Sequence, residues 1–207
     1  MMNKPAGCIT ARTDDEGRQT VYAHVPAHFP ALGHVGRLDY NTEGLLLFTD
    51  DGRLSQALLN KAFSGAPVEK VYHVKIKGIV EDGDARLARL EEPLKSGPGK
   101  TTEPARARVV ERRDKTSWIE LVICEGRHRQ VRKLCERSGL QIRKLRRMRL
   151  GPLELGELRL RWCRPLERAE VAALYAAALA DDALPDFEAI DNSAEAYRRA
   201  RAALAAD

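Results

Sequence analysis

The stretch that most constrains this chain is residues 36–52, GRLDYNTEGLLLFTDDG. Its apolar run, 45–48, is too short for a helix and is typical of a buried strand. Gly44 precedes the run, where the lack of a side chain allows another backbone to approach closely. The strand holds Asp39 on an irregular loop, which is a common way to present a reactive carboxylate. The ordinary alternative is that Asp39, beside Asn41, is a turn or cap residue.

Length and composition favour one domain with an appendage. The chain has 207 residues, and we expect a domain at 1–180 and an acidic helical tail at 181–207, where seven acids stand against three bases. No stretch is long and apolar enough to span a membrane, and the first residues lack an apolar signal core, which predicts a cytoplasmic protein. The four cysteines form no CxxC pair, so the sequence suggests neither a zinc site nor a disulfide framework.

Positive charge is concentrated in one segment. The formal net charge is +5, but residues 125–149 contain ten Lys or Arg and only two Glu, and eight of the ten are Arg. Forked guanidinium groups suit phosphates and stacked bases. Because an ordinary solvated face would carry opposite charges between the arginines, this segment predicts a polyanionic partner.

The predicted elements alternate irregularly along the chain. Alternating apolar residues predict strands at 71–77, 106–110, 118–124, 141–145 and 158–162. Helical spacing predicts helices at 53–62, 85–94, 129–138, 167–180 and 192–206. Several strands mixed with a few short helices indicate the α+β class, with a mixed, mostly antiparallel sheet and flanking short helices.

Two other patterns predict no site. Residues 97–101 resemble a phosphate-binding loop, but Leu94 stands where its first glycine is required and Pro104 opposes a following helix. This segment is therefore interpreted as a basic hairpin or loop. The histidines at 24, 28 and 34 match no metal-ligand spacing, so we expect no metal.

Two further groups are candidates for a functional site. On the predicted helix at 129–138, Arg129, Arg132 and Lys133 lie close together, and the alternative is a helix with a solvated basic face. Tyr72 shares a strand face with apolar neighbours and so points inward, where a tyrosine usually packs and hydrogen-bonds. The functional alternative is a ring that stacks on a base.

Four motifs together resemble a known family. They are NKPAG at 3–7, GRLDYNTEGLLLFTDDG at 36–52, EKVYHVKIKG at 69–78 and EGRHRQVRKLCERSG at 125–139. Their order and approximate spacing resemble those of the pseudouridine synthases, and the chain is most similar to the RsuA-like branch, which acts on ribosomal RNA. The resemblance covers about residues 3–166. It implies the pseudouridine synthase catalytic fold, in a form without the small N-terminal RNA-binding domain that members of this branch often carry.

The resemblance also implies roles for individual residues. Asp39 matches the catalytic aspartate, Tyr72 the active-site tyrosine, and Arg132 the basic partner of the aspartate. Arg37 matches an arginine associated with holding the site of the flipped nucleotide. The other residues expected to contact RNA are Lys70, Arg127, Arg129, Gln130, Lys133, Arg143, Lys144, Arg146 and Arg147.

The implied reaction is isomerisation of a specific uridine to pseudouridine in ribosomal RNA. The N1–C1′ bond breaks, the uracil turns and rejoins through C5, and the base must first leave the helix stack at a cost of about a few kcal/mol. Asp39 must be ionised, whether it attacks the sugar or removes a ribose proton, and Arg132 would keep it charged even in a dry pocket. No cofactor is required. The expected partner is ribosomal RNA or a ribosomal assembly particle, bound by a monomer.

The alternative function is a non-catalytic RNA-binding or ribosome-assembly protein that uses the same basic cleft. Pure RNA binding does not require a carboxylate inside that cleft. The carboxylate would weaken such binding, because it repels phosphate. One departure from the family lies near the end of the matched region, where an expected Gly-x-Trp-Arg is replaced by LRWCR at 160–164. We expect this change to be tolerated because we predict the segment to be remote from the chemistry.

Overall fold

The structure, a computed structural model, describes residues 1–27, 32–60 and 67–179. Its strands are β1 Met2–Lys4, β2 Gly33–Val35, β3 Glu43–Thr49, β4 Lys70–Lys77, β5 Lys95–Gly97, β6 Lys100–Thr101, β7 Arg106–Arg113, β8 Thr116–Ile123, β9 Ile142–Leu150 and β10 Leu153–Glu154. Its α-helices are α1 Gly52–Leu59, α2 Ala85–Glu91, α3 Gln130–Arg137 and α4 Arg168–Ala178. A short 3₁₀ helix covers Val21–His24.

Within the described residues, eight strands form one sheet whose path runs β1-β3-β9-β4-β8-β7. β2 pairs with β3 and β10 pairs with β9, while β5 and β6 form a separate hairpin. β3 and β9 are parallel, whereas the pairs β1–β3, β4–β9, β4–β8 and β7–β8 are antiparallel. The predicted α+β class with a mixed, mostly antiparallel sheet is therefore confirmed.

The leucine run of β3 is buried on both faces of the sheet. Leu46 belongs to a hydrophobic cluster that also holds Tyr72 of β4 and Leu134 of α3. Leu45 and Leu47 belong to a second cluster, formed with side chains of α1 and α4. Because successive side chains of a strand point to opposite faces, β3 needs apolar residues at every position. This explains a continuous run where a half-exposed strand would alternate.

Gly44 lies where β3 pairs with β9 and leaves no space for a side chain. A Cβ at this position would lie 2.2 Å from the carbonyl oxygen of Arg147 and 2.6 Å from its amide nitrogen. The backbone φ of Gly44 is +106°, in the region that favours glycine. Any side chain here would push the two strands apart, so the glycine sets the position of the loop that carries Asp39.

The turn after β3 caps α1. The Asp51 side chain accepts hydrogen bonds from the amides of Arg53 at 2.7 Å and Leu54 at 3.1 Å, which satisfies two free donors of the first helical turn. Asp51 also accepts a hydrogen bond from the hydroxyl of Tyr175. α4 is therefore fastened to the start of α1, on the face of the sheet opposite to α3.

One predicted strand is not found in the structure. The predicted strand at 158–162 is wrong, because this segment turns and Arg161 adopts a left-handed φ of +72°. The segment 160–164 lies beside β1, since the amide of Asn3 donates to the carbonyl of Trp162 at 3.0 Å, and its predicted distance from the chemistry stays a prediction. The predicted helix at 192–206 lies outside the described residues, and the division at residue 180 stays a prediction. None of the helices in the described part is long and apolar enough to cross a membrane.

Candidate active site

Asp39 lies in a tight turn that leads into β3. The amide of Thr42 donates to the carbonyl oxygen of Asp39 at 3.0 Å, so the ordinary interpretation of Asp39 as a turn residue describes its main chain correctly. Its side chain has a different partner, on α3. The turn fixes the main chain and leaves the carboxylate free to face that helix.

Arg132 of α3 holds the whole turn. Its Nε donates to Oδ2 of Asp39 at 3.3 Å, and its Nη2 donates to the carbonyl of Asn41 at 3.1 Å and to Oγ1 of Thr42 at 3.2 Å. The side chain of Asp39 is 35% exposed and that of Arg132 is 21% exposed. Water therefore reaches the carboxylate in the free protein, and a dry pocket would require a ligand to cover it.

The position of Arg132 follows from how α3 is seated. Val131, Leu134 and Cys135 are buried in the core, which turns Arg132 toward the edge of the cluster. The helix starts after Arg129, which adopts a left-handed φ of +54°. The buried Gln130 closes the preceding loop, accepting from the amide of Arg127 at 3.0 Å and donating to Glu125 at 3.3 Å. Gln130 thus shapes the strand-to-helix junction from inside.

Lys4 supports the same turn from the opposite side. Its side chain is fully buried, and its Nζ donates to four carbonyl oxygens, those of Pro5 at 2.9 Å, Thr42 at 3.0 Å, Asp39 at 3.1 Å and Tyr40 at 3.4 Å. Burial lowers the pKa of Lys4. Sequence reasoning assigned no role to this residue, and the signal for it was its place in the NKPAG motif at 3–7.

Tyr72 points into the core, as predicted. It lies in register with Leu121 of β8 and Arg147 of β9 and shares a hydrophobic cluster with Leu38, the residue before Asp39. The tyrosine hydroxyl has no hydrogen-bond partner among the described residues. A ring packed in this way can form one wall of a site next to Asp39, and its catalytic role stays a prediction.

The residues predicted to contact RNA fall into three groups. The first group is exposed and comprises Arg37, Arg127, Arg129, Lys133 and Arg143. In the second group, Lys144 and Arg146 both bind Oε2 of Glu43, at 3.0 and 3.1 Å. Lys144 and Arg146 lie in register with Lys75 and His73 of β4, so they occupy the sheet face opposite to Tyr72. The third group, which is buried, comprises Lys70, Gln130 and Arg147.

The buried cations of the third group bind the protein itself. Nζ of Lys70 donates to the carbonyl of Val68 at 3.2 Å, and burial together with the charge of Arg147 lowers the pKa of Lys70 to about 8. Nε of Arg147 donates to the carbonyl of Leu45 at 2.8 Å, while its Nη2 is buried without a partner among the described residues. In this structure both cations are buried and donate to carbonyl oxygens of the protein, and neither is presented to an external phosphate.

The described residues contain no group of three or more His, Cys, Asp or Glu that could hold a metal ion. The structure brings Asp39 and Arg132 together at this turn, with Lys4 and Thr42 as their supports, and Tyr72 stays a predicted member of the site. A carboxylate that is paired with a guanidinium and is still 35% exposed is able to act on a ligand that enters from solvent.

Comparison with known proteins shows the family to which this chain belongs. The family model for RNA pseudouridylate synthase matches residues 1–137, which include the Asp39 turn, Tyr72 and α3. A Bacillus subtilis (strain 168) protein named ribosomal large subunit pseudouridine synthase B is 37% identical over 183 residues, which make up 86% of this chain and 71% of that protein. The chain belongs to the RNA pseudouridylate synthase family.

Two further comparisons define the extent of the similarity. A Pseudomonas aeruginosa protein, also named ribosomal large subunit pseudouridine synthase B, is 35% identical over 83% of this chain, but the match spans only 44% of that relative. A solved structure described as a pseudouridylate synthase superposes with a TM-score of 0.68 at 31% identity, and the match covers 84% of this chain and 71% of the other. The resemblance to the pseudouridine synthases is thus confirmed for sequence and for fold.

Proposed function

We propose that this pseudouridylate synthase isomerises a uridine of large-subunit ribosomal RNA to pseudouridine. Membership of the family supports the reaction, and the names of the two relatives support the choice of RNA. The bacterial origin of these relatives supports action in the cytoplasm, which we propose for a monomer with one catalytic domain at 1–180. The observation that carries the proposal is the carboxylate of Asp39, bound by Arg132 on a turn that Lys4 holds from below.

The proposed reaction uses the groups around this turn. The target nucleotide leaves the RNA stack at a cost of about a few kcal/mol and covers the exposed part of the Asp39 carboxylate. Asp39 acts on the ribose, either by attack on the sugar or by removal of a ribose proton, and the N1–C1′ bond breaks. The uracil turns against Tyr72, and C5 bonds to C1′ as the bond between Asp39 and the sugar breaks or as Asp39 returns the ribose proton. The C5 proton is then released, and N1 takes up a proton.

Arg132 is assigned to positioning the carboxylate throughout this sequence. Its guanidinium binds one carboxylate oxygen and two other groups of the turn, so the second oxygen of Asp39 is the one that faces the substrate. Exposed cations nearby, namely Arg37, Arg129 and Lys133, are assigned to the phosphates on either side of the flipped nucleotide. This binding weakens as salt concentration rises, because phosphate contacts release counterions.

The experiment that tests the proposal is release of tritium from ribosomal RNA labelled at C5 of uridine. Wild-type protein should release tritium from large-subunit RNA in an amount that saturates at a fixed number of sites per molecule, because each isomerisation frees one C5 hydrogen. Binding to the same RNA is measured in parallel. Salt-dependent binding without tritium release, from both naked RNA and assembly particles, would show that the chain is an RNA-binding protein and would overturn the proposal.

A further inference from the structure

The segment 158–164, named here the tryptophan loop, lies against the free edge of β1. The amide of Arg161 donates to the carbonyl of Asn3 at 2.8 Å, and the amide of Asn3 donates to the carbonyl of Trp162 at 3.0 Å. The other edge of β1 pairs with β3. Because Lys4, the next residue, holds the Asp39 turn, the loop and the turn are fastened to neighbouring residues of one strand. This connection through β1 makes the loop a candidate for a second contact with RNA whose target nucleotide lies at Asp39.

The side chains of the tryptophan loop are unusually open. Trp162 is 59% exposed, the largest fraction among the large hydrophobic side chains of the described residues. The guanidinium carbon of Arg159 lies 5.6 Å from the centre of the Trp162 ring. Such a contact stacks a cation on one face of the indole, so the opposite face is the one available to a ligand.

Charge indicates the kind of ligand that this surface fits. Residues 158–164 contain three arginines and no acid, and of these Arg164 is already paired with Glu170 at 2.6 Å. Arg159 and Arg161 are exposed, and no ion pair of either is found in the described part of the chain. The left-handed φ of Arg161 is unusual for a residue other than glycine. An exposed aromatic ring flanked by two cations matches the way proteins hold single-stranded nucleic acid, by stacking on bases and pairing with phosphates.

We propose that Trp162 stacks on an unpaired base next to the target uridine, with Arg159 and Arg161 bound to the adjoining phosphates. The inference rests on the proposed function, because it concerns how the same RNA is held. It adds a second RNA contact beside the Asp39 turn. None of the predicted site residues lies in the segment that makes this contact. The contact is independent of base identity, since every base has a face that can stack.

Tryptophan fluorescence tests the contact directly, because the chain has only two tryptophans. The other is Trp118, partly buried on β8 with Nζ of Lys75 5.9 Å from its ring centre. A Trp118→Phe protein reports on Trp162 alone, and RNA that carries unpaired nucleotides beside the target should quench its emission in step with binding. A Trp162→Phe protein reports on Trp118 and should not respond. Unchanged emission of the Trp118→Phe protein at saturating RNA would overturn the proposal.

Affinity measurements separate stacking from a general apolar contact. Trp162→Ala should weaken binding of the RNA with unpaired flanking nucleotides about fivefold or more, whereas Leu160→Ala, which removes an exposed apolar side chain from the same loop, should change it less than twofold. RNA trimmed of those nucleotides should bind wild type and Trp162→Ala equally well. Equal losses on both RNAs, or a Trp162→Ala protein whose oligomeric state differs from wild type in sedimentation, would contradict the assignment.

Tritium release distinguishes failure of this inference from failure of the proposed function. Release by wild type without quenching of Trp162 would leave the isomerase assignment intact and refute only the stacking contact. Quenching of Trp162 emission, with no tritium released from any ribosomal RNA, would establish the RNA contact and refute the isomerase assignment.

Discussion

Replacement of Lys4 by methionine removes the cation that holds the Asp39 turn and leaves the apolar stem of the side chain in place. Three of the four carbonyl oxygens that accept from Nζ belong to residues 39, 40 and 42. In the variant these oxygens stay buried without the ammonium. Hydrogen bonds from a charged donor contribute about 1.5–3 kcal/mol each, but the variant also avoids the cost of burying a charge, which is about several kcal/mol.

The balance of these terms gives a loss of about 3 kcal/mol in the free energy of unfolding. For a chain of this size, that corresponds to a fall of about 9 °C in melting temperature. The loss should also appear in catalysis, because the turn that presents Asp39 is freed on one side. We expect single-turnover tritium release to slow about tenfold or more, while RNA affinity changes less than threefold, since Lys4 does not reach the surface.

The assay combines urea unfolding with single-turnover tritium release at a temperature where both proteins are folded. Lys77→Met is the matched control, because Lys77 is an exposed lysine at the end of β4, and its loss should cost less than about 0.5 kcal/mol. A Lys4→Met protein as stable and as active as wild type would refute the role of the hydrogen bonds from Lys4 to the four carbonyl oxygens. A less stable but fully active protein would show that Lys4 supports the fold alone.

Three further substitutions have defined outcomes. Gly44→Ala should lower the free energy of unfolding by about 3 kcal/mol or more, because its Cβ would meet backbone atoms of Arg147. Gly78→Ala is the control, since φ is also positive there but the surrounding space is open, and it should lower the free energy of unfolding by about 1–2 kcal/mol. Equal losses for the two variants in urea melts would contradict this prediction. The pKa of Lys70 is lowered from 10.5 to about 8, so the unfolded chain binds more protons between these pH values and wild type gains stability as pH rises through them. The stability difference between Lys70→Met and wild type should therefore move in favour of wild type by about 3 kcal/mol from pH 8 to pH 10.5, and urea melts with a constant difference would refute it. Arg132→Ala should reduce turnover more than RNA affinity, and equal losses would indicate a simple phosphate contact.

Local periodicity predicted the elements that surround the site. The alternation in β4 placed Tyr72 inward, and the run after Gly44 marked a buried strand, because burial on one or two faces imposes these patterns on a strand. The helix that carries Arg132 was predicted within one residue at each end. The prediction of a strand at 158–162 was wrong because alternation within so short a segment does not distinguish a strand from a turn that lies beside a strand.

Composition could not predict which charged side chains are buried. A run of cations predicts a basic surface, yet Arg147 and Lys70 are buried in the sheet, since pairing with protein carbonyls can offset the cost of burial. Lys144 and Arg146 lie on the sheet face opposite to Tyr72, which follows from the register of β9 against β4, a long-range pairing that the sequence does not specify. The hydrogen bonds from Lys4 to the Asp39 turn depend on a similar long-range contact, across more than thirty residues.

The central claim is that the carboxylate of Asp39, placed by Arg132 and Lys4, carries out the isomerisation. Asp39→Asn is the most direct test, because asparagine matches aspartate in shape and keeps a hydrogen-bond acceptor for Arg132 while removing the charge. In single-turnover tritium release from large-subunit ribosomal RNA, we expect the variant to be slower by about a thousandfold or more, with RNA affinity within threefold of wild type. An Asp39→Asn protein that releases tritium at a rate within tenfold of wild type would contradict the account.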